Sequence, residues 1–301
     1  MTKIENVGIV YGSNNKIFAW HEGIKGNKPV LLRGRKEYVT SFAFDGNNLF
    51  DAGYEGVVKN TNSNHRILNS LFPIDSPIFS LGNYEEEGKK YLFALREIGS
   101  AAFLQNLNSG QIFHLLGFRG DSKLSHRSTS LDLAIAGNEF YVSSQNAIKL
   151  NFQRRDSFVS KGIENNSLIH TEEVIPRKED FAIFANDKEN AYIVSYQNNE
   201  THPKGIEISK VPSGKPTTFL DVNEIGYPHM ASLEGNLLIL GANKDDQVNL
   251  YYQELGESNL KEPKMFLENI RGKVDVYGKG NPLKIIPREK LEKIIFNKQK
   301  K

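Results

Sequence analysis

Seven histidines, His21, His65, His114, His126, His170, His202 and His229, are the first residues to test for chemistry. A metal site read from linear sequence needs ligands close together, commonly three or four residues apart. No two of these histidines have that spacing, and no His-Glu-x-x-His occurs. The chain has no Cys, which removes thiolate ligands, disulfides and a thiol nucleophile together. Asp245, Asp246 and Asn249 offer oxygen ligands in a short run. Without the glycine and closing bidentate Glu of a calcium loop, that run reads as an acidic, solvated hairpin. Neither a Gly-x-Ser-x-Gly elbow nor a phosphate-binding glycine loop is present, and the two glycines of residues 277–281 read as a turn. No cofactor or metal is expected.

What chemistry remains must be assembled from positions far apart in the chain. Tandem repeats can do this by placing equivalent loops around a common axis. One block recurs: residues 14–23, from Asn14-Asn15 through Trp20-His21-Glu22-Gly23, align with residues 47–56, from Asn47-Asn48 through Gly53-Tyr54-Glu55-Gly56. An alternating apolar run precedes the turn in both copies. The same sequence of apolar run, Asn/Asp/Gly turn and second apolar run returns around Gly88, Gly137, Asp187 and Gly235. Short β-branched and aromatic runs broken in this way are hairpins. Each is followed by a more polar pair, such as residues 101–116 around Asn108-Ser109-Gly110 or 205–220 around Pro212-Ser213-Gly214. An apolar hairpin suits strands buried on both faces, and an alternating one suits strands with one wet face.

Four strands per unit, apolar inside and polar outside, resembles a β-propeller of the broad WD40-like kind over residues 5 to about 272. The resemblance implies an all-β chain with six four-stranded blades, whose leading hairpins begin near Val7, Tyr38, Pro77, Ser130, Phe181 and His229. A seventh blade would have to come from residues 151–178, or from residues 274–277 meeting the N-terminus. The rival architecture is a pair of β-sandwiches. No Trp-Asp, Gly-His or kelch Gly-Gly signature occurs, so the family carries over no functional residue. The propeller is expected over residues 1–282, followed over 283–301 by a short amphipathic helix and a basic tail. Leu291, Ile294 and Ile295 share one helical face there, and residues 284–301 hold seven Lys or Arg against two Glu.

In a propeller, the loops leading into each innermost strand share one face with the loops joining the second and third strands. On this register the face gathers Trp20, Tyr38, Tyr54, Arg96, Arg127, Glu179, Asp180, Tyr227 and His229. Aromatic residues and Arg bring large contact area together with a polar handle, which is why they dominate binding hot spots. The expected function is therefore a non-catalytic platform docking a protein or peptide. Trp20, Tyr38, Tyr54 and Tyr227 would be its apolar anchors, and Arg96, Arg127, Glu179 and Asp180 would select by charge. The alternative is a propeller hydrolase or lyase acting on a sugar or small metabolite. His229 or His126 would be its acid or base, with Glu179 or Asp180 orienting the imidazole or helping to hold a divalent ion.

The formal charge of +2 argues against a nucleic-acid partner, and Arg33, Arg35 and Lys36 read as a solvated rim cluster. No run of about 18 apolar residues spans a bilayer, and the first residues lack a secretory signal, so a cytoplasmic location is expected.

Overall fold

In a computed structural model the chain is all-β with one short C-terminal helix. The structure describes residues 3–56, 58–60, 66–68, 77–96, 102–109, 112–115, 132–137, 139–143, 147–152, 169–175, 182–197, 205–211, 216–221, 226–244, 247–256, 263–271 and 280–299.

Sheet 1 contains β1 (Val7–Ser13), β2 (Lys16–His21) and β3 (Val30–Gly34). Sheet 2 is β4 (Val39–Phe44), β5 (Leu49–Gly53), β6 (Val58–Asn60) and β7 (Arg66–Leu68). Sheet 3 is β8 (Ile78–Glu86), β9 (Lys89–Arg96), β10 (Ala102–Asn106) and β11 (Ile112–Leu115). Sheet 4 is β12 (Asp132–Ala136), β13 (Glu139–Ser143), β14 (Ala147–Phe152) and β15 (Ile169–Ile175). Sheet 5 is β16 (Ala182–Asn186), β17 (Ala191–Gln197), β18 (Gly205–Val211) and β19 (Pro216–Asp221). Sheet 6 is β20 (Tyr227–Glu234), β21 (Leu237–Lys244), β22 (Gln247–Glu254) and β23 (Lys264–Arg271). A last strand, β24 (Leu283–Pro287), returns to pair antiparallel with β1, Val10 facing Lys284, before helix α1 (Arg288–Gln299). Among the described residues there are thus six four-stranded antiparallel meanders, and the first has the order β24-β1-β2-β3.

That order shifts the register of the 33-residue repeat. In sheet 2 the repeated block is the turn between first and second strands, whereas in sheet 1 it is the turn between second and third. The two hairpins look alike because both bury apolar side chains on both faces, and burial alone cannot distinguish a first strand from a second. Residues 274–277 lie outside the described residues. The strand that does meet β1 falls within the segment expected to be helix and tail, and the helix begins at Arg288.

The turns follow local chemistry. Asp45 Oδ1 accepts the amides of Asn47 and Asn48 at 2.8 and 2.6 Å, and Asp187 Oδ1 accepts those of Glu189 and Asn190 at 2.8 and 2.7 Å. An aspartate can thus cap its own turn two and three residues on.

The apolar core lies between sheets. Trp20 and Ile9 of sheet 1 pack with Ile239 and Leu250 of sheet 6, and Ile183 and Ile208 of sheet 5 pack with Leu238 and Leu240 of sheet 6. Leu291, Ile294 and Ile295 of α1 share a core with Val10, Ile17 and Leu49. Gly8 leaves room for the helix, since a Cβ there would lie 2.6 Å from that of Leu291.

The leading strands contact one another in cyclic order: β4 on β8, β8 on β12, β12 on β16, β16 on β20, β20 on β24, and β24 on β4. One belt of equivalent positions runs through them: Ser41, Ser80, Asp132, Ile183, Ser232 and Lys284. The belt side chain of one strand accepts the amide one residue past the belt in the next. Ser41 accepts from Leu81 at 3.0 Å, Ser80 from Leu133 at 3.1 Å, Asp132 from Phe184 at 2.9 Å and Ser232 from Ile285 at 3.0 Å. At these four steps a hydroxyl or carboxylate satisfies a leading-strand amide that has no further strand to pair with.

Candidate functional site

Antiparallel register fixes which loops share an end of the assembly. The amide of Val39, first residue of β4, donates to Asn14 O at 2.8 Å, and Ser41 bridges in parallel to Asn281 just before β24. The loops leading into β4 and β24 therefore lie at the same end as the Asn14-Asn15 turn. Tyr38 stands there, 50% exposed, with its ring 6.1 Å from Tyr54 and edge-on to it. Tyr54 in turn meets Phe79 edge-on at 6.0 Å, and its amide donates to Tyr38 O at 3.1 Å. Tyr227 opens β20 and is 52% exposed, with its ring 4.2 Å from that of Tyr196 near the end of β17. Because β20, β24 and β4 are neighbours in the cycle, the two tyrosine pairs flank Asn281.

Asn281 closes the axis at this end. Its amide donates to Asp132 Oδ2 at 3.0 Å and to the carbonyls of Phe184 and Ala231, each at 2.9 Å, while its Oδ1 accepts the Ala231 amide at 2.9 Å. Burial pushes the Asp132 carboxyl above the usual carboxylate range, and donors from Phe184, Ser80, Leu133 and Asn281 pull it back.

Below Tyr38 lies a buried charge network. Asp51 accepts from the guanidinium groups of both Arg33 and Arg35. Arg35 Nε also donates to Glu55 Oε1 at 2.8 Å, and Lys59 stands 3.8 Å from the same oxygen. Burial, with Arg35 next in weight, depresses the Lys59 ammonium. Arg33 and Arg35 are thus not the solvated rim their sequence cluster suggests, because the Asp51 that pairs with them is contributed by the adjacent sheet. Glu55 Oε2 and Asn243 Oδ1 are buried acceptors without a hydrogen-bond partner among the described residues; Glu55 adjoins Tyr54, and Asn243 is the register partner of Tyr227.

Trp20 lies elsewhere. It pairs with Ile9, toward the Pro287 end of sheet 1, so it sits away from the Asn14-Asn15 turn and from Tyr38. It is 3% exposed, its ring 4.9 Å from Phe266 of sheet 6 and its Nε1 donating to Asn27 Oδ1 at 3.2 Å. The shifted register explains this, since the loop after β2 joins third and fourth strands and belongs to the opposite end. His229 is buried in β20, where a register shift falls between Pro228 and Met230. Arg96 ends β9, its backbone opposite Ile78. Arg127, Glu179, Asp180 and His126 lie outside the described residues, as do Asp245 and Asp246. Among the described residues no three His, Asp or Glu gather as metal ligands, and no helix is long and apolar enough to cross a membrane.

Sequence reasoning missed Asn281 and Lys284, placed by β24 at the axis, and the burial of Asp51. Asp51 carried a signal: an acid inside an otherwise apolar hairpin asks for a buried cation.

No known protein-family profile matches the chain, and no curated protein sequence does. Solved structures do. A chain of the nidogen/laminin complex is similar at TM-score 0.55 with 10% identity, covering 93% of this chain and 98% of that one. TolB from Acinetobacter baumannii is similar at TM-score 0.57 with 12% identity, covering 96% of this chain and 68% of that one. Both are β-propellers, and at these identities the likeness shows the fold alone. The fold of this chain is a β-propeller.

Proposed function

We propose that the chain is a six-bladed propeller working as a non-catalytic platform that docks a protein or peptide on the loop end bearing Tyr38 and Tyr227. Six blades are supported by the cyclic contacts of the leading strands and by β24, the last strand, completing the sheet of the first. The docking reading rests on one observation. Among the described residues, the two tyrosines that are at least half exposed stand at the same end, each braced by a second tyrosine ring. Tyrosine held by an aromatic neighbour offers area at little entropic cost, and its hydroxyl remains available for a partner's polar groups. Loops on a stiff scaffold suit this task. The enzymatic alternative draws on His126, Glu179 and Asp180, outside the described residues, and on a buried His229.

A quantitative pull-down tests the reading, comparing wild type with Tyr38→Ala/Tyr227→Ala and with Phe296→Ser on the exposed side of α1. The expected result is a stoichiometric protein lost from the tyrosine variant and kept by Phe296→Ser. Identical profiles for all three, with native circular dichroism, overturn it.

A further inference from the structure

Tyr38 leads into sheet 2 and Tyr227 opens sheet 6, and sheet 1 stands between those two in the cycle. A segment reaching both exposed rings by the shorter way therefore crosses the end of sheet 1. Residues 280–282, the turn 13–16 and the loop 34–38 make that end, and hydrogen bonds lace them together. The Gly12 amide donates to Pro282 O at 2.8 Å, and the Arg35 amide donates to Asn15 O at 2.7 Å. The Asn15 side chain donates back to Arg35 O at 3.2 Å. The crossing is thus fixed before anything docks, which lowers the ordering cost of binding.

Its charges favour one sign of partner. Asn281 spends its side chain on Asp132, Phe184 and Ala231. The charged side chains left exposed on the turn and loop are Lys16, Lys36 and Glu37. Among the described residues neither lysine has a hydrogen bond or an ion pair. Lys59 adds a cation where sheet 2 meets sheet 1. Its ammonium is 3.8 Å from Glu55 Oε1, an oxygen that Arg35 Nε and Nη2 already hold at 2.8 Å each, so Lys59 has only a share of that carboxylate. Asp51 is engaged by Arg33 and Arg35. Three lysines thus stand between the tyrosine anchors against the one exposed acid, Glu37.

We propose that the partner lays an extended acidic segment across sheet 1, with apolar side chains at its ends on Tyr38 and Tyr227 and carboxylates between them over Lys16, Lys36 and Lys59. This rests on the docking reading above and names what that surface selects. Opposite charge steers encounter and rejects basic rivals. A nucleic-acid backbone is also a polyanion, but a chain of net charge +2 lacks the broad basic face that would track one.

Fluorescence anisotropy on the full chain tests this with labelled ten-residue peptides carrying Leu at each end and Glu, Ser or Lys at the positions between. A labelled oligothymidylate of ten nucleotides is the fourth probe. The expected result is saturable binding of the Glu peptide, at least threefold tighter than the Ser peptide and tenfold tighter than the Lys peptide. Lys16→Gln/Lys36→Gln weakens it at least threefold, Lys16→Arg/Lys36→Arg restores it, and Tyr38→Ala weakens it too. Both lysines are exposed, so these variants keep the fold. Absence of saturable Glu-peptide binding overturns the proposal, as does equal affinity for the Ser peptide or in the Gln variant. Tighter binding of oligothymidylate overturns it in favour of a nucleic acid. The pull-down separates the two readings: a protein lost from Tyr38→Ala/Tyr227→Ala but kept by Lys16→Gln/Lys36→Gln leaves the docking surface standing and overturns its acidic selectivity.

Discussion

Asn281 and Asp132 are 149 positions apart, and the amide of one donates to the carboxylate of the other at 3.0 Å. The pair links the strand that closes sheet 1 to the leading strand of sheet 4, across the axis. Asn281→Ala leaves buried partners on Asp132, Phe184 and Ala231 and is expected to cost about 3 kcal/mol. Asn281→Asp brings a second carboxylate to a buried one and costs more at neutral pH. The native pair then binds more protons than the unfolded chain, so its penalty shrinks on acidification. Urea unfolding at pH 5 and pH 7 measures both.

Asp51 accepts from two buried guanidinium groups, and Glu55 supplies a second negative charge to Arg35. Asp51→Ala removes the carboxylate that Arg33 and Arg35 share, leaving two guanidinium groups and Lys59 with less negative charge beside them, and is expected to cost about 3–5 kcal/mol. Arg33→Met/Arg35→Met/Asp51→Leu, which removes the network's core at similar volume, should fall nearer wild type. Thermal unfolding of the two variants gives the comparison. A larger loss in the triple variant would mean that the network stabilises by more than charge neutrality.

The single Trp reports on one sheet interface. Buried against Phe266, Trp20 is expected to emit at short wavelength and to resist iodide quenching, and Trp20→Ala to cost about 3–5 kcal/mol. A partner docked at Tyr38 and Tyr227 leaves that emission unchanged. A shift on binding would place the partner at the other end.

Two residues of α1 separate packing from surface. Leu291 is fully buried against Gly8, and Leu291→Ala is expected to cost about 2–5 kcal/mol. Phe296 is 54% exposed, and Phe296→Ser should stay within about 0.5 kcal/mol of wild type. Denaturant midpoints distinguish them.

Lys284 links stability to pH. Burial lowers its ammonium below the ordinary lysine value, so above that lowered value the unfolded chain binds more protons than the folded one. Stability then rises with pH until the ordinary lysine range is reached. Glu234 works in the opposite sense: its raised carboxyl favours the folded state in acid, and that contribution is lost as pH climbs through the raised value. Lys284→Met should abolish the alkaline rise while leaving the acid limb in place. Unfolding midpoints between pH 4 and pH 10 provide the check.

Hairpins were legible wherever an apolar run met an Asn, Asp or Gly turn, because both signals are local. The buried face of α1, Leu291, Ile294 and Ile295, was legible for the same reason. The exposure of Tyr38 and Tyr227 did not follow from residue type, since Trp20, another large aromatic in the same repeat alignment, is buried between sheets 1 and 6. A hairpin of first and second strands and one of second and third present the same pattern. The 33-residue repeat could therefore not reveal that it was out of phase by one strand.

The sequence by itself determined that this chain is built of tandem β meanders with a short helix at the end, since alternation and turn chemistry are written residue by residue. Only the tertiary structure decided that β24 leads sheet 1, and with it which loops share an end, where Asn281 and Lys284 meet the axis, and that Arg33 and Arg35 are buried. Those outcomes depend on which strand edges meet across the whole chain. Pairing energy is much the same for any compatible edge, and it is the closing of the cycle that selects among them.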